Sequence, residues 1–459
     1  MARIIIDPVT RIVGFLEINA RAENNVIVEA DASGLMYRGF ETMLLGRSPL
    51  DATYFTERIC GICSTAHATA STLALENALI VEVPVNDQYL RDIMHGLEFI
   101  QNHLRHFYLL VLPSYVKIKG TRLTEEVSYS DYRLPEAINQ RLTQHYQESF
   151  EYSRLAHEGH ALLGGKAPHT HGIFVGGVTT IINSYNLTKL QDIIQRIRGF
   201  VSDKMKEDTQ IIAEYYADYY QKGISYPNFL SYGVFDRYTD PDITYLKAGV
   251  QINGRKYPFQ PKLIKEQILH TWFTTEQGEI DKNKQDAYSY IKAPRYEGLA
   301  MEVGPLARLT LTGEYTKGHS CMDRIVARTL ETEKILSIVE NLLNRVELLT
   351  NNQKVISIPE EAIGAGMVDT TRGALGHFLQ IKNKVIHHYN IITPTVWNLS
   401  PKDEENNPGV IEQALIGTAI NNVNEPIEIG RIVRSFDPCI ACATHFLGGN
   451  EEKTIEVLV

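Results

Sequence analysis

The sequence predicts a mainly helical α+β fold, in which a bundle of long central helices is combined with small antiparallel sheets. The first thirty residues alternate apolar and polar side chains, as half-buried strands do. From Asp87 onward the apolar residues recur at helical spacing instead. Further along, Asn253–Gly254 and the segment around Asn383 carry the turn residues of β-hairpins. Together these observations indicate helices and sheets in separate segments of the chain.

The elements follow from where each pattern starts and stops. Leu90, Ile93, Met94 and Leu97 open the first long helical pattern, and Pro135 is a favourable first-turn residue for the second. The predicted long helices lie after Asp87, from Pro135 to Gly164–Gly165, over 188–222 with a stop at Gly223, and over 325–350.

No repeat and no long polar linker divides the 459 residues, so we expect one compact unit in which the two ends of the chain meet. The expected segments are a β-rich part with the first cysteine pair (1–80), a helical part (85–225), a mixed β part (226–320), a part with a helix, a hairpin and the second cysteine pair (325–445), and a C-terminal tail (446–459).

Composition excludes some classes of function. A net charge of -10 argues against nucleic acid as a partner, because nucleic-acid binding depends on clustered basic residues. No segment reaches the roughly 18–20 uninterrupted apolar residues that a membrane helix needs. The apolar part of the N-terminus is also too short for a signal peptide. We therefore expect no anchor or export signal in this chain, although export together with a partner stays possible.

Four of the five cysteines form two Cys-x-x-Cys pairs near opposite ends of the sequence. The motifs are Arg58-Ile-Cys60-Gly-Ile-Cys63-Ser-Thr-Ala-His67 and Asp437-Pro-Cys439-Ile-Ala-Cys442-Ala-Thr-His445. Two thiolates at this spacing can bind one metal from a single turn of backbone. If the pairs meet in space, they form a site with four sulfur ligands.

Ligand chemistry leaves the metal open. A structural zinc site fits poorly, because its cysteine pairs are usually separated by about 15–20 residues. A thioredoxin-like redox pair would explain one motif but not both. An iron–sulfur cluster and a nickel or iron site are both compatible with four soft thiolates.

Both motifs resemble the signature pairs of the large subunit of nickel–iron hydrogenases, R-x-C-G-x-C-x-x-x-H and D-P-C-x-x-C-x-x-H. The resemblance extends in order over nearly the whole chain and looks closest to the respiratory H2-uptake type. Further matching segments are Asp7-Pro-Val-Thr-Arg-Ile12, Ser33 to Glu41, Met94-His-Gly96, His106-Phe-Tyr108, Gly164 to His169, Val175 to Val178, Arg372-Gly-Ala-Leu-Gly-His377 and Thr395-Val-Trp-Asn398.

The resemblance implies a catalytic subunit that splits H2 reversibly into protons and electrons. It implies that Cys60 and Cys439 are terminal nickel ligands. Cys63 and Cys442 would bridge nickel to an iron that carries CO and cyanide. Arg372 matches the active-site arginine, and Asp437 is expected to anchor its guanidinium.

The resemblance also implies a magnesium-type site formed by Glu41, His445 and a backbone carbonyl of Ile391, and Glu is a hard oxygen ligand that suits Mg²⁺. His67 matches a histidine near the metal that is not itself a ligand. His169 is expected to lie toward the partner subunit. Cys321 matches nothing in the family and is expected to be a small core residue.

The implied partners follow from the same resemblance. Electrons would leave through an iron–sulfur small subunit, because the four paired cysteines are already used by the metal centre. Maturation would require nickel-insertion proteins and an endopeptidase that removes the tail after His445. The small subunit could connect to a membrane cytochrome on the outer face of the membrane after joint export; a cytoplasmic location is the alternative.

Three positions depart from the family pattern. Val13 stands where the family has the Glu that first carries protons away, and Glu17 lies about 13 Å further along a strand. Ser114 aligns with an Asp of the first long helix, and Thr371 replaces a Pro. Protons would have to leave by water, Cys442, Arg372 or another carboxylate.

These departures keep two other hypotheses open. One is a homologue that senses H2 or turns over slowly. The other is a structural protein with zinc in the four-thiolate site, or a relative of the hydrogenase-derived subunits of respiratory complexes; those relatives tend to lose the cysteines, which this chain keeps.

Overall fold

The structure, a computed structural model, describes residues 2–118, 129–275, 278–350 and 355–443. The strands are β1 (Ala2–Ile6), β2 (Leu16–Glu23), β3 (Val26–Gly34), β4 (Ile173–Phe174), β5 (Gly177–Val178), β6 (Asn228–Val234), β7 (Leu246–Ile252), β8 (Arg255–Pro258), β9 (Ile264–Gln267), β10 (Ala293–Tyr296), β11 (Glu361–Thr370), β12 (Gly373–Lys382) and β13 (Val385–Ile392). The helices are α1 (Phe40–Leu44), α2 (Ala52–Thr56), α3 (Ser64–Leu79), α4 (Val85–Arg105), α5 (Glu136–Gly164), α6 (Ser184–Phe200), α7 (Lys206–Tyr215), α8 (Pro305–Thr312), α9 (Cys321–Leu343), α10 (Pro394–Asn398), α11 (Val410–Leu415), α12 (Ile427–Ser435) and α13 (Ile440–Ala443).

The N-terminal strands form an antiparallel sheet in the order β1-β2-β3. Alternate residues of β2 are buried, as the sequence pattern predicts. The β-structure of the first segment ends at Gly34, however, and α1, α2 and α3 occupy most of the remainder up to residue 80. The description of 1–80 as β-rich therefore applies only to its first part.

The centre of the molecule is a helical layer in which α4 packs against α5 and α9. The predicted helix from Pro135 corresponds to α5, and α9 begins at Cys321, where Ser320 and Asp323 form a capping box. The predicted helix over 188–222 is divided into α6, a π-helical turn and α7. None of the helices in the described ranges combines the length and apolar composition of a membrane span.

Both predicted hairpins are confirmed. Asn253 and Gly254 join β7 to β8, and Asn383 and Lys384 join β12 to β13, with positive φ at all four residues. Such turns match the twist of the strands they connect. The second hairpin continues a three-stranded sheet in the order β11-β12-β13.

Helix α3 lies against β11 at very short range. A Cβ atom at Gly366 would lie 2.0 Å from the carbonyl oxygen of Ala70, so this position accepts only glycine. Nearly every residue of α3 is buried. Because α3 begins directly after Cys63, this packing fixes the first cysteine pair relative to the sheet.

Candidate metal centre

The fold brings the four paired cysteines together from the two ends of the chain. Their sulfur atoms all lie within 4.8 Å of one another, and all four residues are buried and free of disulfides. Cys60 Sγ lies 3.3 Å from Cys439 Sγ, and Cys442 Sγ lies 3.2 Å from Cys63 Sγ and 3.0 Å from Cys439 Sγ. The sequence prediction that the pairs meet is correct.

The first cysteine loop, residues 60–63, is held by two polar side chains of α4. The Asn102 side-chain amide donates to the carbonyl oxygen of Ile62 over 2.6 Å. One turn earlier, the Glu98 carboxylate accepts the N–H groups of Thr65 and Ala66 over 2.8 and 3.0 Å. These N–H groups belong to the unpaired first turn of α3, so Glu98 satisfies the start of that helix.

The second cysteine loop, residues 439–442, is held by the N-terminal segment. The Val13 N–H donates to the Pro438 carbonyl over 3.2 Å, and the Ile440 N–H donates to the Val13 carbonyl over 2.7 Å. Gly14 follows with φ +94°, and a Cβ there would lie 2.9 Å from the backbone nitrogen of Ala441. Val13 therefore contributes its backbone to the site, and its neighbour has to be glycine.

One arginine connects the two loops. The guanidinium of Arg38 donates to the carbonyl oxygen of Ile59, next to Cys60, and to that of Ala441, between Cys439 and Cys442. Its segment was matched to the family by sequence, but no pattern in the sequence assigned it this role, because both acceptors are backbone atoms.

Arg372 lines the cavity that contains the sulfur atoms. Its Nε and one terminal nitrogen donate to the backbone and carboxylate oxygens of Asp437, both over 3.0 Å. The Asp437 carboxylate also accepts from Arg328 over 3.3 Å. The predicted contact between Arg372 and Asp437 is present, and Asp437 is shared by two guanidinium groups.

The charges of this cluster are mutually stabilising. Burial alone would raise the pKa of Asp437, but the guanidinium of Arg372 and its other cationic neighbours lower it to about 2. Burial would lower the pKa of Arg372, but Asp437 and the thiolates raise it above its ordinary value. The pKa of Cys60 is lowered, first by hydrogen bonds from the other three cysteines and then by the charge of Arg372. The cavity therefore favours a permanent cation beside thiolate sulfur.

Asn102 is a site residue that sequence reasoning missed. Its side-chain oxygen accepts from both terminal nitrogens of Arg372, over 3.3 and 3.4 Å. Ser114, which the family resemblance pairs with an acidic residue, accepts from Arg434 over 3.2 Å. The second neighbour of Arg372 is therefore the neutral amide of Asn102. The helix pattern around Asn102 is ordinary, so the sequence did not indicate that it belongs to the site.

His67 lines the same cavity, but it is not one of the residues of the four-sulfur cluster. Its Nδ1 lies 3.1 Å from Nε2 of His377, whose Nδ1 lies 2.8 Å from the Tyr389 hydroxyl. Burial lowers the pKa of His67 to about 4. A neutral imidazole held in this way shapes the cavity wall.

A second small cavity, of about 20 Å³, lies close to the end of the described chain. Glu41, Ile391 and Ala443 line it, together with Glu266 and Lys292. The Glu41 carboxylate accepts the Ile391 N–H over 2.8 Å, and burial raises the pKa of Glu41. His445, the third expected ligand, lies outside the described residues. Glu266 is a further carboxylate here that the sequence did not single out.

Two remaining expectations concern single residues. Cys321 is fully buried in the main hydrophobic core, which confirms its expected role. His169 lies beside the first cysteine loop, where its N–H donates to Ser64 over 2.9 Å and its Nδ1 lies 3.1 Å from the Glu57 carbonyl. Its orientation toward a partner stays a prediction.

The donor set fits a thiolate-bound transition-metal centre. Four buried sulfur atoms converge without a disulfide, and soft thiolates select metals such as nickel, iron and zinc over hard cations. A fixed guanidinium at the cavity wall adds positive charge opposite the thiolates. Glu41 and Glu266 offer hard oxygen ligands in a separate cavity.

Comparison with known proteins agrees with this chemistry. The sequence profile of the nickel-dependent hydrogenase family matches residues 38–128 and 121–445. The periplasmic [NiFeSe] hydrogenase large subunit of Desulfomicrobium baculatum is 34% identical over 502 residues, covering 99% of this chain and 97% of that protein. The hydrogenase-2 large chain of Escherichia coli is 30% identical over 569 residues, covering 99% and 100%.

The fold is similar as well. The reduced Ni-Fe-Se hydrogenase from D. vulgaris Hildenborough superposes with a TM-score of 0.92 at 35% sequence identity, covering 97% of this chain and 100% of that chain. The profile, the relatives and the structure all extend over nearly the full length described above. This chain belongs to the nickel-dependent hydrogenase family, as a large subunit that acts on H2.

Proposed function

We propose that Cys60, Cys63, Cys439 and Cys442 together hold the nickel–iron centre of this hydrogenase. Cys60 and Cys439 would be terminal nickel ligands, and Cys63 and Cys442 would bridge to an iron carrying CO and cyanide. The observation that carries this proposal is the convergence of four buried sulfur atoms within 4.8 Å, beside Arg372 and Asp437.

When bound, the centre supplies the site at which H2 is split. Arg372 stays charged because Asp437 and the thiolates stabilise its guanidinium, so it can orient and polarise a small molecule in the cavity. Asp437 fixes the guanidinium by two contacts, which leaves little freedom for the arginine to swing away. Cys442, whose sulfur lies 3.2 Å from Cys63 Sγ and 3.0 Å from Cys439 Sγ, is the proposed sulfur for the first proton transfer.

Glu41, the carbonyl of Ile391 and His445 are the proposed ligands of a Mg²⁺ ion near the C-terminus. The cavity beside Glu41 supports this proposal, because Glu266 adds a second carboxylate and the Lys292 ammonium, 3.8 Å from Glu266, can offset only one of the two charges. Binding there would tie the end of α13 to β13.

The proposed partners are an iron–sulfur small subunit that takes the electrons, nickel-insertion proteins, an endopeptidase that removes the tail after His445, and a membrane cytochrome contacted through the small subunit. The relatives are named as large subunits or large chains, and one of them as periplasmic. We propose the outer face of the membrane as the location of the complex, with a cytoplasmic complex as the alternative.

Metal analysis of the purified complex, with an infrared spectrum in the region of metal-bound CO and cyanide, tests the proposed centre. We expect nickel and iron together with those bands. Zinc alone, or iron without the bands in a form that has lost its tail, would contradict the proposed ligand arrangement.

Replacing Val13 with Glu tests whether proton transfer limits the reaction. The new carboxyl would lie beside Cys439, because the backbone of residue 13 is hydrogen-bonded to Pro438 and Ile440, the two neighbours of Cys439. A large rise in H2 oxidation would indicate a proton bottleneck. Unchanged low turnover, combined with a conformational response to H2, would favour the sensing hypothesis.

A further inference from the structure

This inference rests on the proposed function and concerns the protons that Val13 cannot carry. A buried carboxylate, Glu98, lies next to the first cysteine loop. Glu98 is 8% exposed and contacts the first turn of α3 through Thr65 and Ala66. Ala66 also lines the cavity of the sulfur atoms, so only this turn separates Glu98 from that cavity.

A chain of polar groups leads away from Glu98. The Thr65 hydroxyl is close enough to the carboxylate to lower its pKa through a hydrogen bond. The same hydroxyl lies 2.7 Å from Nε2 of His160, on α5. Glu98, Thr65 and His160 also line a cavity of about 20 Å³, which His157 reaches one helical turn from His160. Roughly 10–15 Å³ suffices for one water molecule.

The groups that face Glu98 set its charge. Burial raises the pKa of Glu98, backbone N–H groups lower it in part, and the charge of Cys60 raises it again, giving a pKa of about 7. Glu57, on the turn before Cys60, is the other acidic neighbour, and its pKa is raised to about 8, mainly by burial. Burial keeps His160 neutral, with a pKa of about 4, and also lowers the pKa of the half-buried His157.

We propose that Glu98 carries protons between the metal cavity and solvent in place of the missing residue at position 13. In H2 oxidation the S–H bond of the protonated Cys442 thiol breaks, and its proton adds to the Glu98 carboxylate, which becomes a carboxylic acid. That proton then passes to the Thr65 oxygen as the Thr65 hydroxyl proton passes to Nε2 of His160. His160 releases it through His157 or the cavity water to solvent, and proton uptake follows the same steps in reverse.

A merely structural role for Glu98 has to be separated from proton transfer. Glu412 provides the matched control, because it is also buried, has a pKa raised to about 7 mainly by burial, and accepts two backbone N–H groups, from Ala32 and Gly409. It caps α11, which lies outside the site. E98Q and E412Q therefore each replace a buried carboxylate that accepts two backbone N–H groups, but only Glu98 lies beside the metal site.

The experiment compares the purified, metal-loaded complexes of the wild type, E98Q and E412Q. We expect D2/water isotope exchange to fall roughly tenfold or more in E98Q and to stay near the wild-type rate in E412Q. In infrared difference spectra between H2-reduced and oxidised enzyme, a carboxylic-acid carbonyl band should be present in the wild type and E412Q and absent in E98Q. Wild-type exchange and an unchanged band in E98Q would overturn the proposal.

A second pair of variants covers the case in which E98Q does not assemble. Thr65→Val removes the hydroxyl without touching the carboxylate, and Thr65→Ser restores a hydroxyl. We expect slow exchange in T65V, with the CO and cyanide bands kept, and recovery in T65S relative to T65V. Fast exchange in T65V would overturn the relay. Absence of nickel and iron from the wild type would contradict the proposed function instead.

Discussion

The two cysteine loops contribute the same ligands but are supported in different ways. The first loop leads directly into α3, a buried helix of 16 residues, and side chains of α4 hold it on both sides of Cys63. The second loop itself forms most of α13, which has four residues, and the backbone of Val13 and the Thr395 hydroxyl support it. One half of the site is part of the scaffold, and the other half is docked onto it.

This difference indicates which substitutions should disturb each half of the site. The scaffold half depends on the close packing of α3 against β11, which allows only glycine at Gly366. The docked half depends on a few backbone contacts and on Arg38, which is bonded to both loops. Arg372 and Asp437 then span the halves, since Asp437 precedes the second loop and Arg372 also contacts Asn102 on α4.

The largest expected effect is loss of the metal, and it should be the same for a substitution in either cysteine loop. C60S and C439S each remove one thiolate, and a hydroxyl is a poor ligand for soft metals, so we expect nearly complete loss of nickel and of H2 oxidation in both. Metal analysis and H2-dependent dye reduction measure this. C321S is the control: it changes a fully buried sulfur outside the site and should retain the metals. Retained nickel in either loop variant would contradict the four-sulfur arrangement.

The next effect concerns the bridge between the halves. D437N leaves Arg372 and Arg328 without their shared carboxylate, and breaking a buried ion pair costs about 3–5 kcal/mol. Denaturant unfolding measures the loss. D403N is the control, because it breaks the buried contact with Arg295 away from the site. Both variants should be destabilised, but only D437N should shift the infrared bands of the metal centre.

The same carboxylate gives a pH dependence. The pKa of Asp437 is about 2 in the folded protein, below the ordinary value of 3.8, because Arg372 outweighs the effect of burial. Its contribution to stability is therefore fully present above about pH 4 and is lost as the pH falls toward 2. D437N should flatten this part of the stability profile. An unchanged acid limb in the variant would mean that another group dominates.

The smallest expected effect, that of a substitution at Gly14, tests most directly how the second cysteine loop is held. In G14A, the added Cβ meets Ala441 and Ile440 at 2.9 Å in a backbone with φ +94°. We expect a loss of about 2–3 kcal/mol and lower nickel content. G46A is the matched control, since Gly46 has φ +77° with no atom near its Cβ, and should cost about 1 kcal/mol. Equal nickel content in the two variants would show that docking of the second loop tolerates displacement.

Sequence patterns predicted the elements whose two faces differ. Helices α4, α5 and α6 each have an apolar stripe against the core, and the hairpin turns at Asn253 and Asn383 need residues that tolerate positive φ. Helix α3 was missed because its apolar and polar side chains are mixed around the helix, so its sequence shows no apolar stripe. Strand β11 was missed because its glycines, which α3 requires at close range, weaken the usual strand signal.

The site residues also fall into those that the sequence predicted and those that it did not. The cysteines, Arg372 and Asp437 were predicted because short motifs carry them. Asn102, Arg38 and Glu98 were not, since each is a polar residue whose partner lies elsewhere in the sequence or is a backbone atom. Ser114, which the family resemblance pairs with an acidic residue, accepts from Arg434, and nothing in the sequence indicated that contact.

The backbone contact between Val13 and Cys439 also fixes a sequence of events during synthesis. The first loop and α4 leave the ribosome early, so the growing chain carries an open half-site with two sulfurs for most of its translation. The remaining two sulfurs follow only after the 375 residues that separate Cys63 from Cys439. A protein that delivers nickel to all four ligands can therefore act only after both cysteine pairs have been synthesised.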